Sequence, residues 1–500
     1  MRSLLEWSRR HADGAHPGNA VDDLACGMDT DTVRRRRGLP AAALDGVRSY
    51  YELIEGGVYV CDGTSCHFAG GPALAEELRP RGDVRVVRCL GFCYDPPGIR
   101  VGDAVVGAAR RVPQEAPDLL LTAGSPPPHR RALDGPAVVL RNVVEGASPD
   151  PAREYDLPDG DTILRRVEAS GLCGRGGAAY PTGAKWRTAK ETPAEARWVV
   201  VNGDEGDPGS FVDRVLLEED PHAILAGVMA CARAIDARHA VVFVRGEYPR
   251  AHATMVEAVA EARGSGWLDP DLDVRVAMGA GSYVCGEESA LLRSIEGLRG
   301  EPSPRPPYPA QAGLYGLPTV VQNVETMAQI PWLVREGHAA RTKVVSIAGA
   351  VRRPGLVEVP LGTSLRRVLE AGAEGPVEGR RWKMAMVGGP MGRVLREARF
   401  DAPLDYDALP GLGHAGVVVL DDTVSVRALA QHLFDFAAAE SCGTCTPCRV
   451  GTTLLARAPD PAALERILDT LEIGSLCGFG QGVPRPLRDL LADFREEFFR

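Results

Sequence analysis

No run of this sequence is long and apolar enough to cross a bilayer. The best candidate, "AILAGVMACARAI" at 223–235, is interrupted by Arg233 and falls short of the ~20 residues a spanning helix needs. The N-terminus, "MRSLLEWSRRHADG", has neither the apolar core nor the small-residue cleavage site of a secretory signal. A cytoplasmic protein is therefore expected, and the reducing cytosol argues against reading its 12 cysteines as a disulfide framework. Net positive charge is missing too. The formal charge of -10 argues against nucleic acid as a partner, and "RRRR" at 34–37, the one dense basic block, reads as a solvated helix or loop face. Nor is the usual dinucleotide fingerprint present, because the glycine-dense loop at 171–186 does not follow a strand in a short βαβ unit.

What is there points to an α/β multidomain protein. At 500 residues, 45% hydrophobic and 25% charged, the chain can bury several cores. Residues 1–120 read as a helical lead-in and a strand–loop–helix–strand alternation, with cysteine pairs in both loops. Residues 121–135, containing "AGSPPPHRRALDG", read as a linker by composition. Strands such as "RWVVVNG" and "AVVFVRGEYP" alternate with helical segments over 136–335, the pattern of an α/β sheet domain. Residues 340–405 carry short strands and an Arg-Pro-Gly turn, as in a small β-grasp-like module, and 425–500 read as mostly helical.

Two cysteine sets carry the chemistry. Cys442, Cys445 and Cys448 are spaced by two residues each, and Cys477 follows after 28 more. Short gaps let three thiolates meet one face of a cubane and a distant fourth close it, so a 4Fe-4S cluster is expected, with zinc as the alternative. Cys61 and Cys66, then Cys89 and Cys93, form two loop pairs that could clamp a 2Fe-2S cluster with two thiolates per iron. Cys26, Cys173, Cys231 and Cys285 are isolated and read as small buried hydrophobes.

Three loops point to a cofactor pocket. "GLCGRGGAAYPTGAKW" (171–186) lets backbone amides approach a phosphate or flat ring, with Arg175 and Lys185 to neutralise charge. "VVVNGDEGDPGSF" (199–211) is a buried strand ending in Asn202, Asp204, Glu205 and Asp207, and ligands of α/β sheets bind beyond strand carboxyl ends. "GAGSYVCGEESALL" (279–292) puts Glu287 and Glu288 at a helix start, where they could also simply complement the dipole.

At these residues the chain resembles a known family, the flavin-bearing NADH dehydrogenase (51 kDa-like) subunit of respiratory complex I. The same family has relatives in NAD-reducing hydrogenases and NAD-dependent formate dehydrogenases. "GRGGAAYPTGAKW", "NGDEGDPGSF", "YVCGEESALLRSIEG", "PTVVQNVET" and "ESCGTCTPCRVGT…SLCGFG" carry the resemblance over about 136–500. Residues 15–110 look like the thioredoxin-like two-iron (24 kDa-like) subunit of the same assemblies, fused in front. The resemblance implies FMN and NAD(H) beside the 4Fe-4S and 2Fe-2S clusters, and a soluble-ligand-binding β-grasp module at 340–405. It implies that Gly174, Arg175, Gly176 and Lys185 cradle the FMN phosphate and ring edge. Asn202, Asp204 and Glu205 would line the flavin, and Tyr283, Gly286, Glu287 and Glu288 would shape the shared flavin and nicotinamide cavity. Asn323 and Thr326 would complete the phosphate side, with Glu205 and Glu288 as catalytic carboxylates. Tyr180, Arg305 and Tyr308 stand where the family usually has phenylalanine, lysine and phenylalanine, and Thr188 replaces a second aromatic. Tyrosine and arginine can stack and pair in their place, and Arg305 leaves NADP open. Because the sequence holds no molybdenum or nickel site of its own, a separate substrate-oxidising subunit is implied. A molybdenum formate dehydrogenase is favoured, with a nickel hydrogenase or a complex I-type assembly as the alternative and room for a small ferredoxin-like subunit. A non-catalytic zinc scaffold and a flavin-free relay are the readings from other classes.

Overall fold

The computed structural model describes residues 20–25, 28–53, 57–108, 125, 127–147, 151–338, 340–457 and 460–499. Cys26 and residues 121–124 and 126 of the expected linker lie outside the described residues. Helices Ala20–Ala25, Thr30–Arg37 and Ala41–Arg48 form the lead-in. Asp29 caps the second by accepting from Thr32 N at 3.0 Å, and Gly38 ends it in the left-handed conformation. The basic block lies on this helix but is not all solvated. Arg37 is buried and donates to Asp23 at 2.6 Å.

Strands β1 (Val58–Cys61), β2 (Val84–Val87), β3 (Ile99–Val101) and β4 (Ala104–Val106) form a mixed sheet in the order β2-β1-β3-β4. The second cysteine pair sits in the loop after β2 as expected, but the first does not sit in a loop: Cys61 ends β1 and Cys66 lies in the helix Thr64–Phe68, because the chain turns into that helix straight after the strand. Part of the stretch expected as a linker is instead strand β5 (His129–Ala132), which pairs parallel to a strand formed by Gly355–Pro360. Its residues carry no β-branched signal. Backbone pairing at a sheet edge makes the strand, and the buried Glu358 then accepts the amides of Val138, Val139 and Leu140 at 3.0, 3.1 and 2.9 Å.

The central sheet is all parallel. Strands β6 (Trp198–Gly203), β7 (His239–Val244), β8 (Asp273–Met278) and β9 (Thr319–Asn323) run in the order β8-β7-β6-β9, and helices such as Pro221–Ile235 and Val324–Glu336 pack on it. The near-continuous Val, Phe and Trp runs of β6 and β7 are buried on both faces, as a covered parallel sheet requires. A third, six-stranded sheet holds β10 (Thr342–Gly349), β11 (Gly355–Pro360), β12 (Trp382–Val387), β13 (Arg393–Arg396) and β14 (Gly416–Asp421), with β5 at its edge. It therefore extends past the expected boundary at 405, because β14 inserts between β12 and β10. Helices Val426–Glu440, Thr446–Leu455, Pro461–Gly474, Gly478–Gly482 and Pro484–Phe499 complete the chain. No helix among the described residues is long and apolar enough to cross a membrane.

Candidate functional site

The glycine loop reaches the end of β9 and the start of the helix Val324–Glu336. Asn323 caps that helix, accepting from Thr326 N at 3.2 Å, and Thr326 Oγ1 in turn accepts the Arg175 amide at 2.8 Å. The Arg175 side chain is buried with its Nε unpartnered. A Cβ on Gly176 would fall 3.0 Å from Asn323 Cβ, so only glycine leaves the space beside the helix start open. An open, backbone-lined gap with a buried arginine beside it and a helix N-terminus behind it fits a phosphate group. Lys185 Nζ donates to Glu288 at 3.1 Å and to the Val321 carbonyl at 3.0 Å, which places it beside the same strand end.

Beyond β6 the acidic residues divide into distinct roles. Asn202 Nδ2 donates to the Gly286 carbonyl at 2.9 Å, and its Oδ1 accepts the Asp204 amide at 3.1 Å, tying two predicted loops together. Burial pushes the Asp204 carboxyl up to about 8, against the pull of Arg245. Glu205, expected as a catalytic carboxylate, is placed differently. It is fully buried, and Oε1 accepts from Ser210 Oγ at 2.7 Å, Val212 N at 2.7 Å and Asp213 N at 3.1 Å, while Oε2 accepts from Arg214 N at 3.1 Å. This carboxylate caps the helix Val212–Glu219 and anchors the acidic loop, so its lone pairs face amides rather than the cavity.

Tyr283 joins the pocket to the C-terminal helices. Its hydroxyl donates to Asp207 Oδ1 at 2.5 Å and its amide to Glu440 Oε2 at 3.1 Å. Its ring lies 5.2 Å from that of Phe436 and 5.6 Å from that of Phe479. Gly206 is required here, since a Cβ would come 2.9 Å from the Tyr283 ring. Glu287 caps the helix Glu288–Ile295 through Ser289 N and Ala290 N, both at 3.0 Å, and is also ion-paired to Arg305. Arg305 reaches Glu288 at 3.1 Å as well, so the acids, Lys185 and Arg305 form one charged rim. Tyr180 and Tyr308 stand exposed at this rim and Thr188 is turned to its own helix, donating to Ala184 O at 2.9 Å.

Each cysteine set converges without a disulfide among the described residues. Cys61, Cys66, Cys89 and Cys93 are all buried, with the Cys89 and Cys93 sulfurs 3.6 Å apart. Each sulfur accepts one backbone amide: Gly63 on Cys61 at 3.5 Å, Gly98 on Cys66 at 3.5 Å, Gly91 on Cys89 at 3.4 Å and Gly209 on Cys93 at 3.2 Å. Three amides come from the cysteine loops, and the fourth belongs to the acidic loop after β6. Gly209 holds φ +105 to present it. Amides aimed at four crowded sulfurs suit thiolates on a cluster rather than neutral thiols. Cys442, Cys445, Cys448 and Cys477 likewise meet between three helices. Burial and the neighbouring thiols push Cys448 up to about 12, and burial pushes Cys477 up to about 11, so a cationic centre is what such a set needs to ionise. Of the isolated cysteines, Cys231 and Cys285 are buried and Cys173 is half-buried on the glycine loop.

Three features escaped sequence reading. Arg245, after β7, is buried and donates to the Cys89 carbonyl at 3.0 Å, to the Glu205 carbonyl and to Glu247 at 2.6 Å, so it locks the cysteine loop to the acidic loop. Asp62, His67 and His432 gather donor atoms within 4.8 Å. However, Asp62 is already held by Arg88 at 2.7 Å and His67 at 2.8 Å, and the two imidazoles lie 4.3 Å apart, a hydrogen-bonded seam against the helix Val426–Glu440. Finally, His414, from the loop before β14, pairs Nδ1 with Asp207 Oδ2 at 2.9 Å. Only the glycines of "GLGHAG" marked that loop, and nothing local tied it to a site more than 200 residues earlier.

Residues 167–332 match the family described as the Nuo51 FMN-binding domain, and residues 428–500 match the NADH-ubiquinone oxidoreductase-F iron-sulfur binding region. The chain is 40% identical over 370 residues to the F 2 subunit of the NADH-quinone oxidoreductase of Rhizobium meliloti, a match covering 68% of this chain and 88% of that protein. It is 39% identical over 368 residues to the HndC subunit of the NADP-reducing hydrogenase of Solidesulfovibrio fructosivorans, covering 67% and 75%. Among solved structures, a chain of an NAD+-reducing nickel–iron hydrogenase in the H2-reduced state superposes with TM-score 0.85 at 31% identity, covering 96% of this chain and 91% of that one.

Proposed function

The chain belongs to the family of the NADH-quinone oxidoreductase F subunits, with its FMN-binding domain and 4Fe-4S region, and from that premise we propose that it serves as the diaphorase component of a larger assembly. It exchanges hydride between NAD(H) and FMN and passes single electrons onward through iron–sulfur clusters. FMN, when bound, supplies the step between a two-electron hydride carrier and one-electron clusters. The observation that carries the reading is Tyr283. One residue bonds the acidic loop through its hydroxyl, bonds Glu440 two residues before Cys442 through its amide, and packs on Phe479 two residues after Cys477.

In this reading Gly174, Gly176, Arg175, Asn323 and Thr326 hold the phosphate. Lys185, Asn202, Asp204, Tyr283 and Gly286 line the ring. Glu287, Glu288 and Arg305 face the nicotinamide nucleotide, with Tyr180 and Tyr308 available to stack on its adenine. Glu288 keeps its proposed place beside the reacting rings, whereas Glu205 acts by fixing the loop that carries Asp204 and Asp207. Arg305 is occupied by two carboxylates, which favours NAD over a nucleotide bearing a further phosphate. Cys61, Cys66, Cys89 and Cys93 are proposed to hold a 2Fe-2S cluster in a thioredoxin-like, 24 kDa-like unit. The four amide–sulfur bonds support that proposal.

The assembly is proposed to include a separate substrate-oxidising subunit; "EGDPGSF" and "SLCGFG" look closer to the soluble hydrogenase and formate dehydrogenase branch than to complex I, and a molybdenum formate dehydrogenase is the favoured partner. The likeness to a nickel–iron hydrogenase chain over nearly the whole length favours the hydrogenase as a second reading. Ile473, 86% exposed, and Leu476 flank the Cys477 loop, with Val450 exposed on the helix after Cys448. Such apolar exposure beside a cluster suits a docking face for the next electron carrier. Purified protein should carry FMN and iron and reduce an artificial acceptor with NADH. Colourless protein containing only zinc would refute the proposal, and the metal in co-purifying subunits decides between molybdenum and nickel partners.

A further inference from the structure

His414 lies in the loop before β14 of the six-stranded sheet, yet it reaches the central sheet's site. The loop Gly411–Ala415 lies over the glycine loop, where a Cβ on Gly177 would come 3.5 Å from Gly413 Cα. His414 Nδ1 is committed to Asp207 at 2.9 Å. Its Nε2 lies 3.8 Å from where a Gly176 Cβ would sit, on the same side as Asn323 and next along the chain from Arg175, whose Nε has no partner. The side chain is enclosed on most sides yet keeps 20% of its surface accessible, as expected of a cavity wall.

Resting on the FMN reading above, we propose that His414 is a positioning residue for the flavin's phosphomonoester, donating Nε2–H to its anionic oxygens opposite Arg175. The charged surroundings keep that donor in place. Burial pulls the imidazole down, but the hydrogen bond and charge of Asp207, followed by Asp213 and Glu205, push it up to about 9. Tyr283 bonds the far oxygen of Asp207 and holds that carboxylate against the ring, whereas Asp204 keeps its own proton below about 8 and adds charge only above it. At neutral pH the ring presents N–H on both nitrogens, one to Asp207 and one to the cradle. The loop before β14 thereby contributes to flavin selection, discriminating FMN from a flavin lacking the phosphate.

The test uses the full chain depleted of FMN and titrated with FMN and with riboflavin, following flavin fluorescence. His414→Gln is expected to narrow the preference for FMN over riboflavin by about tenfold to a hundredfold, the worth of one charge-assisted hydrogen bond, while leaving riboflavin affinity unchanged. The phosphomonoester stays dianionic above its second pKa of ~6. The wild-type preference should therefore fall as pH rises through about 9, and His414→Gln should remove that fall. Should His414→Gln not fold, Asp207→Asn serves as the second variant, and moves the fall toward the ordinary histidine range near ~6.5. A preference unchanged in His414→Gln, equal weakening of both flavins, or an unmoved midpoint in Asp207→Asn would overturn the inference while leaving the diaphorase reading standing. Failure of wild-type protein to bind FMN would overturn both.

Discussion

Glu205→Gln separates a structural carboxylate from a chemical one. The glutamine carbonyl can still accept from Ser210, Val212 and Asp213, the three donors that face Oε1. Its NH2 group, however, points at the Arg214 amide, which sits 3.1 Å from Oε2. Losing that charge-assisted bond costs about 1.5–3 kcal/mol, and removing a negative charge from the start of the helix Val212–Glu219 adds up to ~2 kcal/mol, for about 2–5 kcal/mol together. At about 2–4 °C per kcal/mol for a unit of this size, the shift is roughly 10 °C. A chain of several sheets does not unfold in one step, so the assay is thermal release of FMN alongside limited proteolysis. The variant should release FMN at lower temperature, with new cleavage near 204–214. Held well below that temperature, it should still let NADH reduce the flavin at a rate within several-fold of wild type. Unchanged FMN release together with a lost hydride step would refute this reasoning and return Glu205 to the chemistry.

Cys445→Ser should abolish the 4Fe-4S signature in electron paramagnetic resonance and onward electron flow, while NADH still bleaches the bound flavin; surviving onward flow would remove the cluster from the path. Gly209→Ala would set a Cβ 2.7 Å from Val418 Cγ2 at φ +105, and should pull the amide from Cys93. A changed midpoint potential for the proposed 2Fe-2S centre in redox titration is expected, and an unchanged one would show that the amide does not tune it. Asp204, ordinarily near ~3.9, is held up to about 8, so between those values the folded chain binds the extra proton and stability falls as pH rises, by ~1.4 kcal/mol per unit. Asp204→Asn should flatten that part of the denaturation profile of the flavin-depleted chain between pH 5 and 8, and identical slopes would count against a protonated Asp204.

What was legible in the sequence was local. The valine-rich runs of β6 and β7 name their strands because burial on both faces demands apolar residues throughout. The two cysteine sets announce themselves by spacing, and the glycine loops by composition. Strand β5 was hidden because His129, Arg130 and Arg131 owe their extended conformation to a partner at Gly355–Glu358 rather than to propensity. The role of Glu205 was hidden for a related reason, as a carboxylate beside a cavity and one capping a buried helix look alike until the amides of 212–214 are placed. Arg245 and His414 depend on loops brought together from different sheets. No local pattern encodes such meetings.

The position of His414 sets an order on how the molecule is made. The glycine loop, the acidic loop and β9 emerge during synthesis well before the segment that closes over them, because His414 and Gly413 follow nearly a hundred residues after Asn323. A nascent chain halted at the end of the central sheet would hold an open trough in place of a walled pocket, and Tyr283 would still lack Phe436, Glu440 and Phe479. By contrast, the amino-terminal thiols are complete at Cys93, with the Gly98 amide following at once and the Gly209 amide coming later. On the proposed reading, flavin capture is thus a late event in the making of this polypeptide, and loading of the proposed front-end cluster is free to come first.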